Sequence, residues 1–487
     1  MKLLKDILYK TGIEEVLGNT HKAIEHITFD SRRVRNQSLY LARAGTKVDG
    51  HDFIDSAISK GATTILCERL PEEIKEEITY VRVKDADAAL AFMAANYYDN
   101  PSEKLRLVGV TGTNGKTTVA TLMYKLFRSL GYKAGLLSTV ANKINNNTVE
   151  STHTTGDPLQ INEILSKMVD AGCKYCFMEV SSHGIHQKRI DGLDFKGAIF
   201  TNISHDHLDY HKTFDDYILA KKRFFDLLPE NAFALVNKDD RHGGTMVQHT
   251  QARIHKFSTR GLADFKAKIL DNDFTGLHLS INNQEIHSRL IGSFNAYNLL
   301  AVYGAAVLLG EIEINVLTAL STLTAVDGRF QYLRSQNGLT AIVDYAHTPD
   351  ALKNVLTTIQ DIRTGNESVI TVVGCGGDRD ASKRPEMARI AVNYSTKVIL
   401  TSDNPRTEDP NAIIDDMEKG VEVQHKARVL RIPDRKEGIK TACMLAEAGD
   451  IILIAGKGHE KYQDINGVKH PFDDVLVVKE NLEILQK

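Results

Sequence analysis

The run Val108-Gly109-Val110-Thr111-Gly112-Thr113-Asn114-Gly115-Lys116-Thr117-Thr118 has the residue types of a phosphate cradle. Glycines let a backbone curl so that its N–H groups point at phosphate oxygens, and the positive end of a following helix adds to the attraction. Lys116 would neutralise β/γ-phosphate charge, and the Thr117 hydroxyl would ligate Mg²⁺. The strict spacing G-x-x-x-x-G-K-[ST] is missed, because Val110 stands five places before Gly115 and Gly109 one place further back. A glycine-rich turn with a chance lysine is the alternative. The apolar strand before the run and the helix after it favour a nucleoside triphosphate, without naming the chemistry.

A metal partner is expected from the tip of a neighbouring strand. Cys176-Phe177-Met178-Glu179-Val180-Ser181-Ser182-His183 delivers one carboxylate, Glu179, into a polar turn, and Mg²⁺ prefers such hard oxygen ligands. Cys173 and Cys176 form a C-x-x-C with no second pair, so a buried structural thiol is favoured over zinc. His205-Asp206-His207-Leu208-Asp209-Tyr210-His211 is the densest ionisable cluster. It nearly spells a two-zinc hydrolase pattern, but its last histidine is one place late, and His207 is the member singled out. Lys221 and Lys222 follow in a helix expected over 217–227, where spacing alone distinguishes neither.

Three further turns, each after an apolar run, carry charge: Gly374-Cys-Gly-Gly-Asp-Arg379-Asp380, Ser402-Asp403-Asn404-Pro405-Arg406, and Gly456-Lys457-Gly458-His459-Glu460. In an open α/β sheet, ligands gather at the carboxyl ends of strands, so the three turns can converge. Arg379 and Arg406 offer planar forks for carboxylates, and Glu460 could pair with an ammonium. Together they suggest a zwitterion such as an amino acid.

These turns need strands to hold them. Short apolar runs alternating with helical stretches from Leu105 onward read as a parallel sheet covered on both faces. The runs are 105–110, 133–137, 175–180 and 197–203, with helices over 117–130 and 295–309. A second series runs through 341–343, 369–373, 397–401 and 451–455. Before them stand strand-like runs at 24–29, 39–42 and 63–67, and an amphipathic helix at 86–98 that stops at Asp99-Asn100-Pro101. The fold class expected is α/β in three domains: 1–100, 101–330 and 331–487. A length of 487 residues agrees with about three domains. The chain is 42% hydrophobic, which excludes a disordered chain, and 60 basic against 63 acidic side chains give no overall attraction to nucleic acid or an anionic membrane. Five scattered cysteines exclude a disulfide scaffold, and no apolar run approaches a membrane span. A soluble cytoplasmic protein is expected, with no nucleic-acid partner.

Thr111-Gly-Thr-Asn-Gly-Lys-Thr117, Glu179-Val-Ser-Ser-His183, Asp206-His-Leu-Asp209, Asn295-Ala-Tyr-Asn298, Gly328-Arg-Phe330 and Asp344-Tyr-Ala-His347 occur in an order that resembles the Mur ligases, the ATP-dependent amide-forming enzymes of peptidoglycan synthesis. Asp403-Asn-Pro-Arg406 resembles the signature of the branch that adds meso-2,6-diaminopimelate to UDP-N-acetylmuramoyl-L-alanyl-D-glutamate, both of which become expected substrates. The resemblance implies a central P-loop ATPase, a Rossmann-like C-terminal domain and a smaller N-terminal α/β domain binding the UDP-sugar; a monomer is expected. It implies ATP at Gly112, Thr113, Asn114, Gly115, Lys116, Thr117 and Thr118, with Asn298 near the adenine and Arg329 and Asp344 near the nucleotide. Mg²⁺ would sit on Thr117 and Glu179, and a second on His207 and Lys221, the lysine that the family carbamylates. Lys116, Lys221, His207 and Glu179 would thus be the catalytic set. UDP-muramoyl-dipeptide would meet Phe29, Ser31, Thr154, Thr155, Ser181, Gln187 and Arg189. Diaminopimelate would meet Arg379, Asp403, Asn404, Pro405, Arg406, Gly456 and Glu460. Phe29 stands where the family commonly has leucine, and Asp157-Pro158 after the Thr-Thr pair is a second departure.

Overall fold

The structure, a computed structural model, describes residues 1–487 except 46, 47, 150–153, 205, 207 and 486; for 208 and 209 only the backbone is described. Three sheets organise the chain. The first has five strands in the order Ile13–Leu17, Thr79–Val83, Ala62–Cys67, Ser38–Leu41, His26–Thr28, parallel except for the first pair. The central sheet has eleven strands. Its parallel heart runs Ala134–Leu137, Tyr175–Glu179, Arg106–Thr111, Phe195–Phe200, Phe233–Asn237, Arg253–Ser258. The third has six strands, with Thr340–Asp344, Ile451–Ala455, Val369–Val373, Lys397–Leu400 and Val429–Arg431 parallel and Gln331–Arg334 antiparallel at one edge.

Burial on both faces explains why the central strands are continuous apolar runs rather than alternating ones. One face packs the helices Lys116–Ser129 and Ser293–Leu308 through Leu122, Phe127, Leu299 and Tyr303. The other packs Pro158–Asp170 and Phe214–Asp226 through Leu165, Met168, Phe224 and Phe225. Each such side chain contributes roughly 1.5–3 kcal/mol by leaving water. Gly109 belongs to this packing and not to the phosphate cradle: a Cβ there would stand 2.4 Å from the Phe224 ring.

Two details depart from expectation. The helix Ala86–Tyr97 is not amphipathic: Ala86, Ala89, Leu90, Ala91, Met93, Ala94 and Ala95 are all buried, because the helix is sandwiched between helices Leu4–Ile7 and Pro158–Asp170. It ends before Asp99 and Asn100, both in the left-handed region. The central sheet also extends through the meander Phe265–Asp273, Gly276–Ile281 and Gln284–Ser288, strands that the sequence reading passed over. Charged side chains on the meander's open face dilute its apolar signal.

Candidate active site between the central and third sheets

A cavity of about 1210 Å³ lies between the carboxyl ends of the central and third sheets, and most of the residues singled out in the sequence line it. Parallel strands deliver their last residues to one edge, so Glu179, Asp344 and the turns after Val373, Leu400 and Ala455 arrive together although they are far apart in sequence.

At the wall formed by the glycine loop, Gly115 takes φ +86° as the residue before helix Lys116–Ser129, a conformation that glycine reaches without penalty. The first N–H groups of that helix have no partner within it, and Lys116, Thr117 and Thr118 line the cavity. Lys116 folds back, its Nζ donating to the carbonyls of Gly112 at 2.9 Å and Thr113 at 2.8 Å. Lys221 Nζ donates to the same Gly112 carbonyl at 2.8 Å. Burial pushes the proton affinity of Lys116 down, against the pull of Glu179 and Asp206. Burial first and Lys116 second push that of Lys221 far below the ordinary lysine value. The adjacent Lys222 leaves the site to pair with Asp226 at 2.6 Å, which distinguishes two lysines that the sequence could not.

Glu179 is fully buried. Its Oε2 accepts from the Thr117 hydroxyl at 2.9 Å and the Thr139 hydroxyl at 3.2 Å, and its Oε1 from the Thr139 N–H at 2.8 Å. These partners are all neutral, so among the described residues the carboxylate has no directly bonded cation. With the Thr117 hydroxyl it forms a hard oxygen donor set that fits Mg²⁺. Lys221 as an ammonium does not fit a metal; as a carbamate it would. His207 lies outside the described residues, as do His205 and the Asp209 side chain. Among the described residues, no three His, Cys, Asp or Glu side chains are grouped to hold a metal. Cys173 and Cys176 are free and buried, as a structural role requires.

Arg329 bridges the walls. Its Nη2 donates to the Thr117 hydroxyl at 3.0 Å, and its guanidinium lies 4.7 Å from the centre of the Tyr345 ring. Its Nε is buried without a partner among the described residues, as befits a group that awaits a ligand or a rearrangement. Asp344, at a strand end, accepts from the Phe330 N–H at 2.6 Å; burial raises its pKa to about 6, with Arg329 opposing. Asn298 is buried beside Gly115, its Nδ2 donating to Asn295 Oδ1 at 2.9 Å. Two residues that no motif flagged join this wall: Thr139, and Asp350, whose Oδ2 accepts from Ser204 Oγ at 2.7 Å and Asn114 Nδ2 at 3.3 Å. Thr139 follows a parallel strand, so strand-end position was its available signal.

Thr154, Thr155, Ser181 and Arg189 line the adjoining part of the cavity. Thr155 Oγ1 donates to the Glu179 carbonyl at 3.0 Å and accepts from the Ser181 N–H at 3.0 Å. Arg189 donates to the Thr155 carbonyl at 2.6 Å and grips Gln187 Oε1 at 2.6 and 3.0 Å. Gln187 does not line the cavity; nor do Phe29 and Ser31. Phe29 carries the Arg43 guanidinium 4.6 Å from its ring centre, and the Ser31 carbonyl accepts from Lys60 at 3.0 Å.

At the third wall, Arg406 has a left-handed backbone, φ +51°, and its Nη1 donates to the Gly377 carbonyl at 2.6 Å. A Cβ on Gly376 would stand 3.0 Å from that guanidinium and 3.8 Å from Arg379, so glycine there lets both arginines face one space. Asn404 Nδ2 donates to Glu460 Oε2 at 2.8 Å. Gly456 packs against Asp403, where a Cβ would stand 2.3 Å from its carboxylate. Pro405 stiffens the loop between Asn404 and Arg406 but does not line the cavity.

The chain matches three family models: the Mur ligase middle domain over 110–306, the Mur ligase glutamate ligase domain over 328–458, and the Mur ligase family catalytic domain over 23–98. It is 56% identical over 485 residues, 99% of its length and 100% of the relative's, to a protein of Cytophaga hutchinsonii named UDP-N-acetylmuramoyl-L-alanyl-D-glutamate--2,6-diaminopimelate ligase. The chain belongs to the Mur ligase family. A Bacteroides fragilis Mur ligase with the same name is 56% identical over 98% of both chains. A solved structure under that name superposes with a TM-score of 0.71 at 34% identity, covering 100% of this chain and 99% of that one. The three-domain α/β architecture expected from sequence is therefore the Mur ligase fold.

Proposed function

We propose that this Mur ligase joins meso-2,6-diaminopimelate to the D-glutamate carboxylate of UDP-N-acetylmuramoyl-L-alanyl-D-glutamate, consuming ATP and releasing ADP and phosphate, in cytoplasmic peptidoglycan precursor synthesis. One observation carries the reading: a single cavity has a phosphate loop with a buried carboxylate on one wall and Arg379, Arg406 and Glu460 on the other. The names of the relatives supply the substrates. Residues 1–100 are assigned to the UDP end, with Phe29 and Ser31; 101–330 to ATP and the dipeptide; 331–487 to diaminopimelate.

A carboxylate does not acylate an amine in water unaided. Its oxygen attacks the γ-phosphorus of ATP, the bond to ADP breaks, and an acyl phosphate forms. The diaminopimelate amine then attacks the acyl carbon, phosphate leaves, and the amine proton passes to solvent. The loop N–H groups, Lys116 and Arg329 hold the polyphosphate; Asn298 and Asp344 fix the nucleoside. Thr154, Thr155, Ser181 and Arg189 hold the dipeptide so that its carboxylate lies in line, with Gln187 acting through the Arg189 guanidinium that it accepts from. Arg379 and Arg406 take the carboxylates of the amino acid, and Glu460 takes an ammonium. Asp403, Asn404, Pro405 and Gly456 shape that pocket. Lys221, whose proton affinity burial lowers, is suited to add CO₂ as the free amine: an N–C bond forms, one N–H proton leaves to solvent, and a carboxylate oxygen ligand replaces the amine. One Mg²⁺ held by Thr117 and Glu179, and a second held by that carbamate with His207, would supply charge to offset the phosphoryl oxygens. His207 joins the set on the strength of its motif alone.

Labelling the D-glutamate carboxylate with heavy oxygen tests the chemistry. One labelled oxygen should appear in the released phosphate. Unlabelled phosphate would overturn the acyl-phosphate route.

A further inference from the structure

We infer that Lys457 is a positioning residue for the amino-acid pocket: it orients Glu460 and Asn404 so that one Glu460 oxygen is presented to the ligand's ammonium. The inference rests on the diaminopimelate reading above and adds to it a residue that has no place in that scheme.

Lys457 sits on the third turn, and its side chain is 0% exposed. A fully buried lysine needs partners for its ammonium protons. Its Nζ donates to Asn404 Oδ1 at 3.0 Å and to Glu460 Oε2 at 3.0 Å, and lies 5.6 Å from the centre of the Tyr462 ring. The inward course of the side chain comes from the backbone: Gly456 at φ +119° and Gly458 at φ +52° flank it, and the Glu460 N–H closes the turn on the Lys457 carbonyl at 3.0 Å.

The consequence is directional. Asn404 Oδ1 accepts from both Lys457 and the Asp464 N–H, at 3.0 and 2.9 Å, so the oxygen end of that amide is fixed by two donors. Its Nδ2 must then face Glu460, to which it donates at 2.8 Å. Both donors to Glu460 use Oε2. Oε1 has no protein partner among the described residues, and Glu460 lines the cavity. Lys457 therefore locks a carboxylate rotamer, fixes the Asn404 side chain of the neighbouring loop, and offsets the carboxylate's charge without covering its second oxygen. A cationic ligand group arrives at an oriented acceptor rather than at a mobile one.

Two variants test this with steady-state ADP release. Lys457→Met removes charge and both hydrogen bonds; Lys457→Gln is close in length, can still donate to Asn404, and keeps the test readable should the first variant fail to fold. The expected result is a diaminopimelate KM raised tenfold or more in each folded variant, with the ATP KM within twofold of the unsubstituted protein. Diaminopimelate KM within twofold, or ATP and diaminopimelate KM values rising in parallel, would overturn the positioning role. Failure of the functional reading is separately visible, as an unsubstituted protein whose ADP release ignores diaminopimelate; that result overturns both.

Discussion

At the wall proposed for the nucleotide, two of the basic groups are lysines whose proton affinity burial has lowered and whose Nζ atoms rest on backbone carbonyls. At the wall proposed for the amino acid, the basic groups are held by fixed partners: Arg406 on the Gly377 carbonyl, and Lys457 between Asn404 and Glu460. Beneath that wall, Arg435 is fully buried in a two-bond pair with Asp474, both contacts 2.8 Å, and also donates to the Ala455 carbonyl just before the Gly456 turn. Charge develops and moves at the first wall when a phosphoryl group transfers, so adaptable groups and a recruited cation suit it. Charge merely has to be recognised at the second, so rigid forks and locked rotamers suit it. On the proposed assignment, one cavity separates chemistry from selection.

The largest effect should come from removing the adaptable group. Lys221→Ala is expected to lower turnover on the order of a thousandfold or more, with partial recovery on adding short carboxylates, because the role assigned is that of an oxygen ligand. Full activity in that variant would erase the distinction between the walls. Arg406→Ala should come next: kcat/KM for diaminopimelate falls roughly a hundredfold, while the KM for ATP stays within a few-fold. Equal losses for both substrates would mean that recognition and chemistry are not separated.

The smallest effect concerns stability. Folded Asp344 titrates near 6 against an ordinary value of 3.8, because it is buried. The folded state therefore binds this proton more tightly than the unfolded one, and its contribution favours folding at low pH. That contribution is lost as pH rises from about 4 to about 6, by up to about 3 kcal/mol. Asp344→Asn, which cannot ionise, should gain on the unsubstituted protein across that window in denaturant unfolding without nucleotide. A pH-independent difference would contradict it.

The phosphate loop was legible in sequence because its chemistry is local: glycines, a lysine and a threonine within a few residues of a strand end. The α/β sheets were legible for the same reason, as short apolar runs such as Val369–Val373. What escaped depends on distant partners. Thr139 matters only because its strand pairs with the one carrying Glu179, 40 residues away. Asp350 meets Ser204 across 146 residues, and Lys457 meets Asn404 across 53. Lys457 was visible in its turn, but nothing local says that it points inward. Lys221 and Lys222 are alike in type and neighbours in sequence, and only the helix's packing sends one into the cavity.

The most direct test of separated chemistry and selection is ADP release with UDP-N-acetylmuramoyl-L-alanyl-D-glutamate and ATP fixed and the amino acid varied. Turnover should require meso-diaminopimelate, with lysine, which lacks the second carboxylate, poorer by orders of magnitude. Comparable rates with lysine, or ADP release without any amino acid, would contradict the account.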